Sequence, residues 1–437
     1  MKRREFVKTV SAVGLGIVGR RSPLLRFRGS PNEKVVVAIM GLNGRGTVLG
    51  KTFAKTPNAT VAYVCDVDSQ VLAKAVTAIG DAQGTAAKPL GDFRRALEDK
   101  SVDALVVAAP DHWHTPAAIL AMSAGKHVYV EKPCGHNPRE GELVVNAQKK
   151  TGRVVQMGTQ QRSEPTSIEV IQAIRGGLIG RAYQARAWYA NTRGTIGHGK
   201  TAPVPANLDY ELWQGPAPRT AYRDNVIHYN WHWFKRWGTG EICNNGTHEI
   251  DVARWALGVD YPIRATSAGG RYQFNDDWEF TDTQEATFEF SGGETIIWQG
   301  QSCNGLPTFG RGRGTAILGT QGSVVLDRDG YVVYDLKNQV VKQVAAAKPG
   351  DGLNLAADDA ATGMHIANFV EAIRSGQPLH QPIDQGAKSV LLCHLGNIAQ
   401  WTGRALRIDA GNGHILGDGE AMGFWQREYA PGWTPVV

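Results

Sequence analysis

The sequence predicts an α/β protein in two parts. A doubly wound parallel sheet comes first, and an α+β domain with a largely antiparallel open sheet follows. Three observations carry this expectation. From residue 34 to 158 short apolar runs alternate with helix-like stretches, the pattern of a parallel sheet covered on both faces. A Gly-rich turn lies directly between the first run and the first helix. Beyond about residue 180 the strand-like runs succeed one another, several joined by Gly-containing turns. At 437 residues the chain exceeds the usual size of one domain.

Residues 1–30 read as a targeting segment. "KRREFVK" supplies a basic n-region with paired arginines, and "TVSAVGLGIVG" a short apolar run behind it. Paired arginines in that setting point to the twin-arginine (Tat) route and a periplasmic or exported protein. No clean small-x-small cleavage site follows in "RRSPLLRFRGS". This segment also explains the charge. It holds eight Lys and Arg against Glu5 alone, a net +7, so a chain of net +6 is −1 elsewhere. The folded body therefore offers no basic field for nucleic acid. No later apolar run is long enough to span a bilayer.

Residues 31–158 form the expected parallel domain. Its strands are "KVVVAIM", "TVAYVCD", "VDALVVAAP", "KHVYVEKP" and "RVVQMGTQ", with helices between them. Residues 159–437 form the second domain. Strands such as "RAYQARAWYA", "QEATFEFSG", "ETIIWQG" and "GSVVLD" are flanked by helices at "GTHEIDVARWALG", "GMHIANFVEAIRSG" and "GAKSVLLCHLGNIAQWTG". Two irregular stretches, about 191–228 and 340–360, are long for structureless loops. The five cysteines are scattered, with no C-x-x-C pair, which suggests neither a disulfide framework nor a zinc knuckle.

The turn in "VVVAIMGLNGRGTVLG" has the context of a dinucleotide site. Gly41 permits the tight turn and Gly46 close helix–strand packing. Asn43 takes the middle glycine's place, Gly44 follows, and Arg45 opens the helix, whose N-terminus offers free N–H groups to a pyrophosphate. Asp66 lies 20 residues after Gly46, where a carboxylate accepts from the adenosine ribose. A carboxylate there repels a 2′-phosphate and so favours NAD over NADP. The competing role, capping the next helix, suits Asp68 or Ser69 better.

"APDHWHTPAAILAMSAGKHVYVEKPCGHN" resembles the Gfo/Idh/MocA oxidoreductases, with a Pro-x-His-x-His loop and then Glu-Lys-Pro after a strand. "GTQQRS" and "GTHEIDVARWALG" are similar to family segments in the same order. The resemblance covers nearly the whole chain after residue 33. It implies a Rossmann domain, an α/β domain whose open sheet makes oligomer contacts, and sugar, cyclitol or glycoside substrates. It also implies that nicotinamide and substrate meet Lys132, position 244 and His248, with Pro110, His114 and Glu131 beside the cofactor.

Lys132, at the C-terminal end of a parallel strand, is positioned to stabilise a developing alkoxide; the bland alternative is a surface lysine. Residues 244, 248 and 251 share a helix face, and Glu249 points elsewhere. One His on that face, with Asn244 a poor ligand, argues against a metal. His248 is then a general base, or else a buried structural histidine bonded to Asp251. Dehydrogenases of the resembled family commonly carry Asp where this chain has Asn244. An amide cannot take the proton, which falls to His248 or to a tyrosine. Arg162 is a candidate for holding substrate oxygen. In "HYNWHWFKRWGTG", Trp231 and Trp233 are candidate sugar-stacking faces or, equally, core.

Free dinucleotide is scarce outside the cytoplasm, so an exported enzyme would fold around a tightly bound NAD and regenerate it in place. Two reaction classes allow this: ping-pong sugar oxidoreduction, and an NAD-dependent glycosidase of the glycoside hydrolase family 109 kind. A cofactor-retaining sugar-binding protein without catalysis is a third reading. The expected partners are a small carbohydrate, the Tat machinery and further copies of the chain.

Overall fold

The computed structural model describes residues 34–346 and 357–437, without the side chains of 357–359. The leader expected at 1–30 lies outside the described residues.

Six parallel strands build the first sheet: β1 (Val35–Met40), β2 (Ala59–Cys65), β3 (Lys88–Leu90), β4 (Ala104–Val107), β5 (His127–Val130) and β6 (Val155–Met157). Their order is β3-β2-β1-β4-β5-β6, the doubly wound Rossmann order. The sequence reading missed β3. It is a three-residue edge strand containing Pro89, too short to give an apolar run. The interior strands are buried on both faces, which is why they read as unbroken apolar runs.

The flanking helices are α1 (Arg45–Lys55), α2 (Ser69–Gln83), α3 (Arg94–Glu98), α4 (His114–Ser123) and α5 (Pro138–Thr151). Asp68 caps α2, accepting from the N–H groups of Gln70 and Val71, and Asn137 caps α5. After β6 the chain forms α6 (Pro165–Arg175), capped by Glu164.

The second sheet has ten strands: β7 (Ala182–Thr192), β8 (Arg264–Gly270), β9 (Thr283–Glu289), β10 (Thr295–Gln301), β11 (Cys303–Asn304), β12 (Arg313–Gly319), β13 (Ser323–Asp327), β14 (Gly330–Tyr334), β15 (Val340–Ala345) and β16 (Leu406–Arg407). Every pairing is antiparallel except that of β10 with β7. Part of the expected 340–360 loop is therefore strand β15. The remaining helices are α7 (Tyr210–Gln214), α8 (Gly240–Asn244), α9 (Gly246–Leu257), α10 (Ala357–Ser375), α11 (Ile383–Thr402) and α12 (Gly419–Gly423).

One face of this sheet carries α6, α9 and α11 over a core that includes Ile250, Phe288, Trp298 and Ile398. The opposite face keeps a small apolar cluster around Trp188, Ala316 and Val325. The two domains share helices. Ile366, Phe369 and Val370 of α10 pack with Leu49, Phe53 and Tyr129 of the Rossmann domain, while Ile383 and Val390 of α11 join its other core. Among the described residues no helix is long and apolar enough to cross a membrane.

Candidate active site

Glycine geometry shapes the dinucleotide side of the cleft. Gly41 has φ +81°, and a Cβ there would lie 2.6 Å from the Ala109 backbone. A Cβ on Gly46 would fall onto the carbonyl oxygen of Gly41, so the turn and the first helix touch through bare backbone. No side chain caps α1, in contrast to α2, α5 and α6, and its first turn holds no acid. Its leading N–H groups remain available to an anion, and Asn43 and Gly44 line the cavity before them. Asp66, at the end of β2, accepts from the N–H groups of Leu42 at 2.6 Å and Asp68 at 2.9 Å, which aim its carboxylate at the same cleft. Burial pushes this carboxyl up, opposed by those two donors. An uncapped helix, a glycine turn and a fixed carboxylate at the neighbouring strand end together fit a dinucleotide.

The cleft widens into a cavity of about 600 Å³, within the range of small-molecule sites. Lys132, Asn244 and His248 line it together, with Asp111, His114, Glu131, Tyr229, Trp231 and His232. Lys132 donates from Nζ to the backbone oxygen of Asn244 at 2.8 Å and to its Oδ1 at 3.2 Å. Burial lowers the ammonium's pKa, opposed by the charges of Glu131 and Asp111. Glu131 is held by Arg45 at 2.8 Å and Gln160 at 3.1 Å. Burial works to raise its carboxyl, and the charges of Arg45 and Lys132 outweigh it and keep the group low. His114 presents its two ring nitrogens to the carbonyls of Pro133 and Ala109, at 2.5 and 2.7 Å, which fixes the ring at the cavity wall.

The amide of Asn244 is oriented from behind. Its Nδ2 lies 3.4 Å from Oε1 of Glu241, a buried carboxylate one turn earlier. Glu241 also accepts from Arg193 at 2.7 Å, Ser302 at 3.1 Å and Asn245 at 2.5 Å. A carboxylate only accepts, so it draws the NH₂ to itself and leaves Oδ1 facing Lys132. The sequence reading missed Glu241, although an acid three residues before Asn244 was a visible signal.

The ring of His248 is 8% exposed and makes no hydrogen bond among the described residues. Burial drives its pKa well below the usual histidine value, and the positive charges of Arg328, Lys132 and Arg313 add to the effect. Asp251 does not hold this ring. It is bound by Arg162 at 2.8 and 2.9 Å, Ser389 at 2.6 Å and Gln381 at 2.9 Å.

That pairing corrects the reading of Arg162. The side chain is buried against Asp251 and stacked over Trp255 at 4.7 Å, so it anchors α9 and is not offered to a substrate. Trp233 is corrected as well. It is 1% exposed and stacked on Trp278 at 3.9 Å, in the core beneath the cleft. Trp231 does line the cavity, with Tyr229 beside it. Glu249 turns away to Arg313. Among the described residues no cluster of three metal-type ligands occurs.

Residues 193–238 cross from the second domain to the first as a strap. Its Asn207 and Asp209 bond the backbone of Ser69 and Val67, each at 2.9 Å. Asn207 and His228 both reach Oδ2 of Asp68, at 2.8 and 3.0 Å. The carbonyl of Trp213 is met by Nε2 of His112 and Nε1 of Trp113, each at 3.0 Å. The strap thus covers the end of the cleft that Asp66 lines, and Trp213, His228 and Trp231 form part of that wall.

This is the architecture of a two-domain dinucleotide-dependent oxidoreductase. Residues 35–159 match the model of an oxidoreductase family's NAD-binding Rossmann fold, and residues 186–434 match that family's C-terminal alpha/beta domain. The chain belongs to the Gfo/Idh/MocA oxidoreductase family.

A glycosyl hydrolase family 109 protein of Stenotrophomonas maltophilia is 26% identical over 68% of this chain and 69% of its own length. Inositol 2-dehydrogenase 2 of Saccharopolyspora erythraea is 28% identical over 59% of this chain and 62% of its own. A second family 109 protein, also from Saccharopolyspora erythraea, is 31% identical over 41% of this chain and 43% of its own, so the matches to these last two span less than two thirds of them. Among solved structures, levoglucosan dehydrogenase with NADH and levoglucosan superposes with a TM-score of 0.68 at 18% identity, over 86% of this chain and 99% of that one. Aldose-aldose oxidoreductase from Caulobacter crescentus gives 0.64 at 20%, over 86% and 100%. These two establish the fold.

Proposed function

We propose that the protein oxidises a ring carbinol of a sugar, cyclitol or glycoside, with NAD as the preferred and tightly retained dinucleotide. The observation that carries this reading is the convergence of Lys132, Asn244 and His248 on one cavity continuous with the glycine turn. The names of the inositol dehydrogenase and family 109 relatives support a polyhydroxylated ring as substrate. So do the aromatic faces of Tyr229 and Trp231 beside polar groups.

When bound, the nicotinamide supplies a two-electron hydride acceptor. Lys132 donates to the substrate oxygen and stabilises the negative charge that develops on it. His248 is neutral at pH 7 because burial and neighbouring cations oppose its protonation, so it is free to take the hydroxyl proton. Asn244 aligns Lys132. Asp66, at the ribose position, supports NAD over NADP.

The strap supports retention, because Asn207 and His228 fasten it to Asp68 at the dinucleotide end of the cleft. Retention in turn accords with export through the Tat route after folding and loading in the cytoplasm. Phe309, 54% exposed and packed against Trp188 on the outer face of the second sheet, supports a homo-oligomer.

A second reading is favoured by one observation. Both acceptors of Lys132 are neutral oxygens of Asn244, so no directly bonded carboxylate offsets its charge. Such a cation suits an enolate as well as an alkoxide. That favours an NAD-dependent glycosidase, in which transient oxidation permits elimination, hydration and re-reduction.

Denaturing the purified protein and assaying the released dinucleotide tests the central claim. NAD at near one per chain is expected, and no release combined with no binding sinks the reading. His248→Ala should keep the dinucleotide and lose roughly 10²–10⁴-fold in cofactor reduction by a sugar probe. Full activity would move the proton acceptor elsewhere.

A further inference from the structure

His232 is a partly buried imidazole that the oxidation just described does not use. It belongs to a short 3-10 turn, Asn230–Trp233. Its Nδ1 lies 2.6 Å from the carbonyl oxygen of Tyr229. A carbonyl only accepts, so Nδ1 carries the hydrogen. Burial pushes the ring's pKa down to about 3, against the help of that bond, and the charges of Lys132 and Arg193 lower it further. The ring is therefore neutral at pH 7, and Nε2 is left with a bare lone pair. Nε2 has no hydrogen-bond partner among the described residues. The ring is clamped between neighbours, stacked on Trp231 at 3.6 Å and 19° and against Tyr229 at 4.6 Å. It lines the same cavity as Lys132, Asn244 and His248. Its tautomer is thus fixed by backbone, and its basic nitrogen is presented to the substrate space.

We propose that His232 is a second catalytic base of this cleft, which removes the proton from the carbon next to the oxidised one. The inference rests on the second reading above and assigns that reaction its missing residue. Oxidation of a carbinol releases one proton to a base, and His248 suffices for it. Cleavage of a glycosidic bond through a ketone needs another base, one carbon away.

The steps balance as follows. With a nicotinamide bound to accept the hydride, the carbinol would give its hydroxyl proton to His248 and become a ketone. The adjacent carbon loses its proton to His232, with the negative charge held as an enolate against Lys132. The electron pair then expels the glycosidic oxygen, which takes the proton held on His232 and departs as the alcohol, and an enone remains. Water adds its hydroxyl at the vacated carbon and gives its proton to His232, which passes it to the carbon between. Hydride and the His248 proton restore the carbinol. Glycoside and water become sugar and alcohol, with no net oxidation.

The test uses the holoenzyme with a panel of 4-nitrophenyl glycosides in deuterated water. Three signals are followed: reduced nicotinamide in a single turnover, nitrophenol release, and deuterium at the carbon next to the oxidised one. The variant is His232→Asn, whose amide N–H can keep the bond to the Tyr229 carbonyl while removing the lone pair. The wild type should give all three signals. The variant should still reduce its nicotinamide, and should lose release and deuterium by about 100-fold or more beyond any loss in reduction. Retained release in the variant overturns the proposal, because a structural role alone survives this substitution. Loss of reduction together with release, with dinucleotide still bound, also overturns it.

Reduction without release for every wild-type probe overturns it too, and leaves the oxidoreductase reading standing. No reduction with any probe defeats that reading and the proposal with it. Nitrogen-15 NMR of labelled histidines in the wild type gives an independent readout of the tautomer. Protonated Nδ1 and bare Nε2 at pH 7 are expected for His232, and a protonated Nε2 overturns the assignment. If His232→Asn fails to hold dinucleotide, this spectrum and the wild-type deuterium signal decide the matter.

Discussion

Compare the two walls of the cleft. On the dinucleotide wall, Gly41, Asp66 and Lys132 stand at the ends of the parallel strands β1, β2 and β5, and Asp66 is aimed by backbone N–H groups 24 and 2 residues away. On the substrate wall, α9 is pinned by Arg162, Gln381, Ser389 and Arg313, side chains 64 to 138 residues distant. The first wall is made by local backbone geometry and the second by tertiary partners. Substitutions should therefore disable the first wall through sterics and the second through unpaired buried charge.

Gly46→Ala is expected to have the largest effect. Its methyl group collides with the Gly41 carbonyl, so dinucleotide binding should vanish, and isothermal titration with NAD will reveal it. Binding within tenfold of wild type would mean that this turn is not rigid. Arg162→Ala attacks the other wall. It strands Asp251, whose carboxyl burial tends to raise but which the Arg162 charge holds low. The expected loss is about 3–5 kcal/mol in a urea titration. NAD affinity should stay within a few-fold in the fraction that remains folded. The sign with pH follows from the lowered carboxyl. The wild-type stabilisation is fully present above the unfolded Asp value of about 3.9 and fades as pH falls through the lower folded value.

Asn244→Asp probes the junction of the two walls. A carboxylate beside Lys132 favours its charged form, so the alkaline limb of kcat/KM should move to higher pH. In the wild type that limb should lie below 10.5, because burial lowers the Lys132 value. An unmoved limb would separate Lys132 from the rate. Asp68→Ala should be mildest, at about 1 kcal/mol for the lost cap, but it also frees Asn207 and His228. Faster dinucleotide release on dilution is the expected readout, and an unchanged release rate would argue that the strap does not retain the cofactor.

The same contrast decides what was legible in the sequence. The Gly41–Gly46 turn, Asp66 and Lys132 are local motifs whose meaning travels with a few neighbouring residues. The doubly wound sheet, apart from the three-residue β3, follows from apolar runs that burial on both faces requires. Arg162 was misread, and Trp233 was left open between sugar face and core, because nothing near them in the chain reveals Asp251 or Trp278. Glu241 and His232 went unread for a related reason. Each acts through its neighbours, Glu241 by turning an amide and His232 by a tautomer set at the Tyr229 carbonyl. Spacing alone carries neither kind of information. The strap left only the trace of a loop too long to be idle.

The lone parallel pairing in the second sheet has a consequence measured in seconds. β7 ends at Thr192, and its partners β10 and β12 begin at Thr295 and Arg313. As the chain emerges during synthesis, both edges of β7 wait while about a hundred further residues are made. At roughly 5–20 residues per second that interval lasts on the order of 5–20 s. Throughout it, Trp188 and the small apolar residues beside it have no covering strands. The six strands of the Rossmann sheet are complete by Met157, but its two cores still await α10 and α11, which are made later than β12. The nascent protein therefore passes through a stage with a paired first sheet that lacks its last helices and a second strand without partners, and its demand for chaperones should be concentrated there.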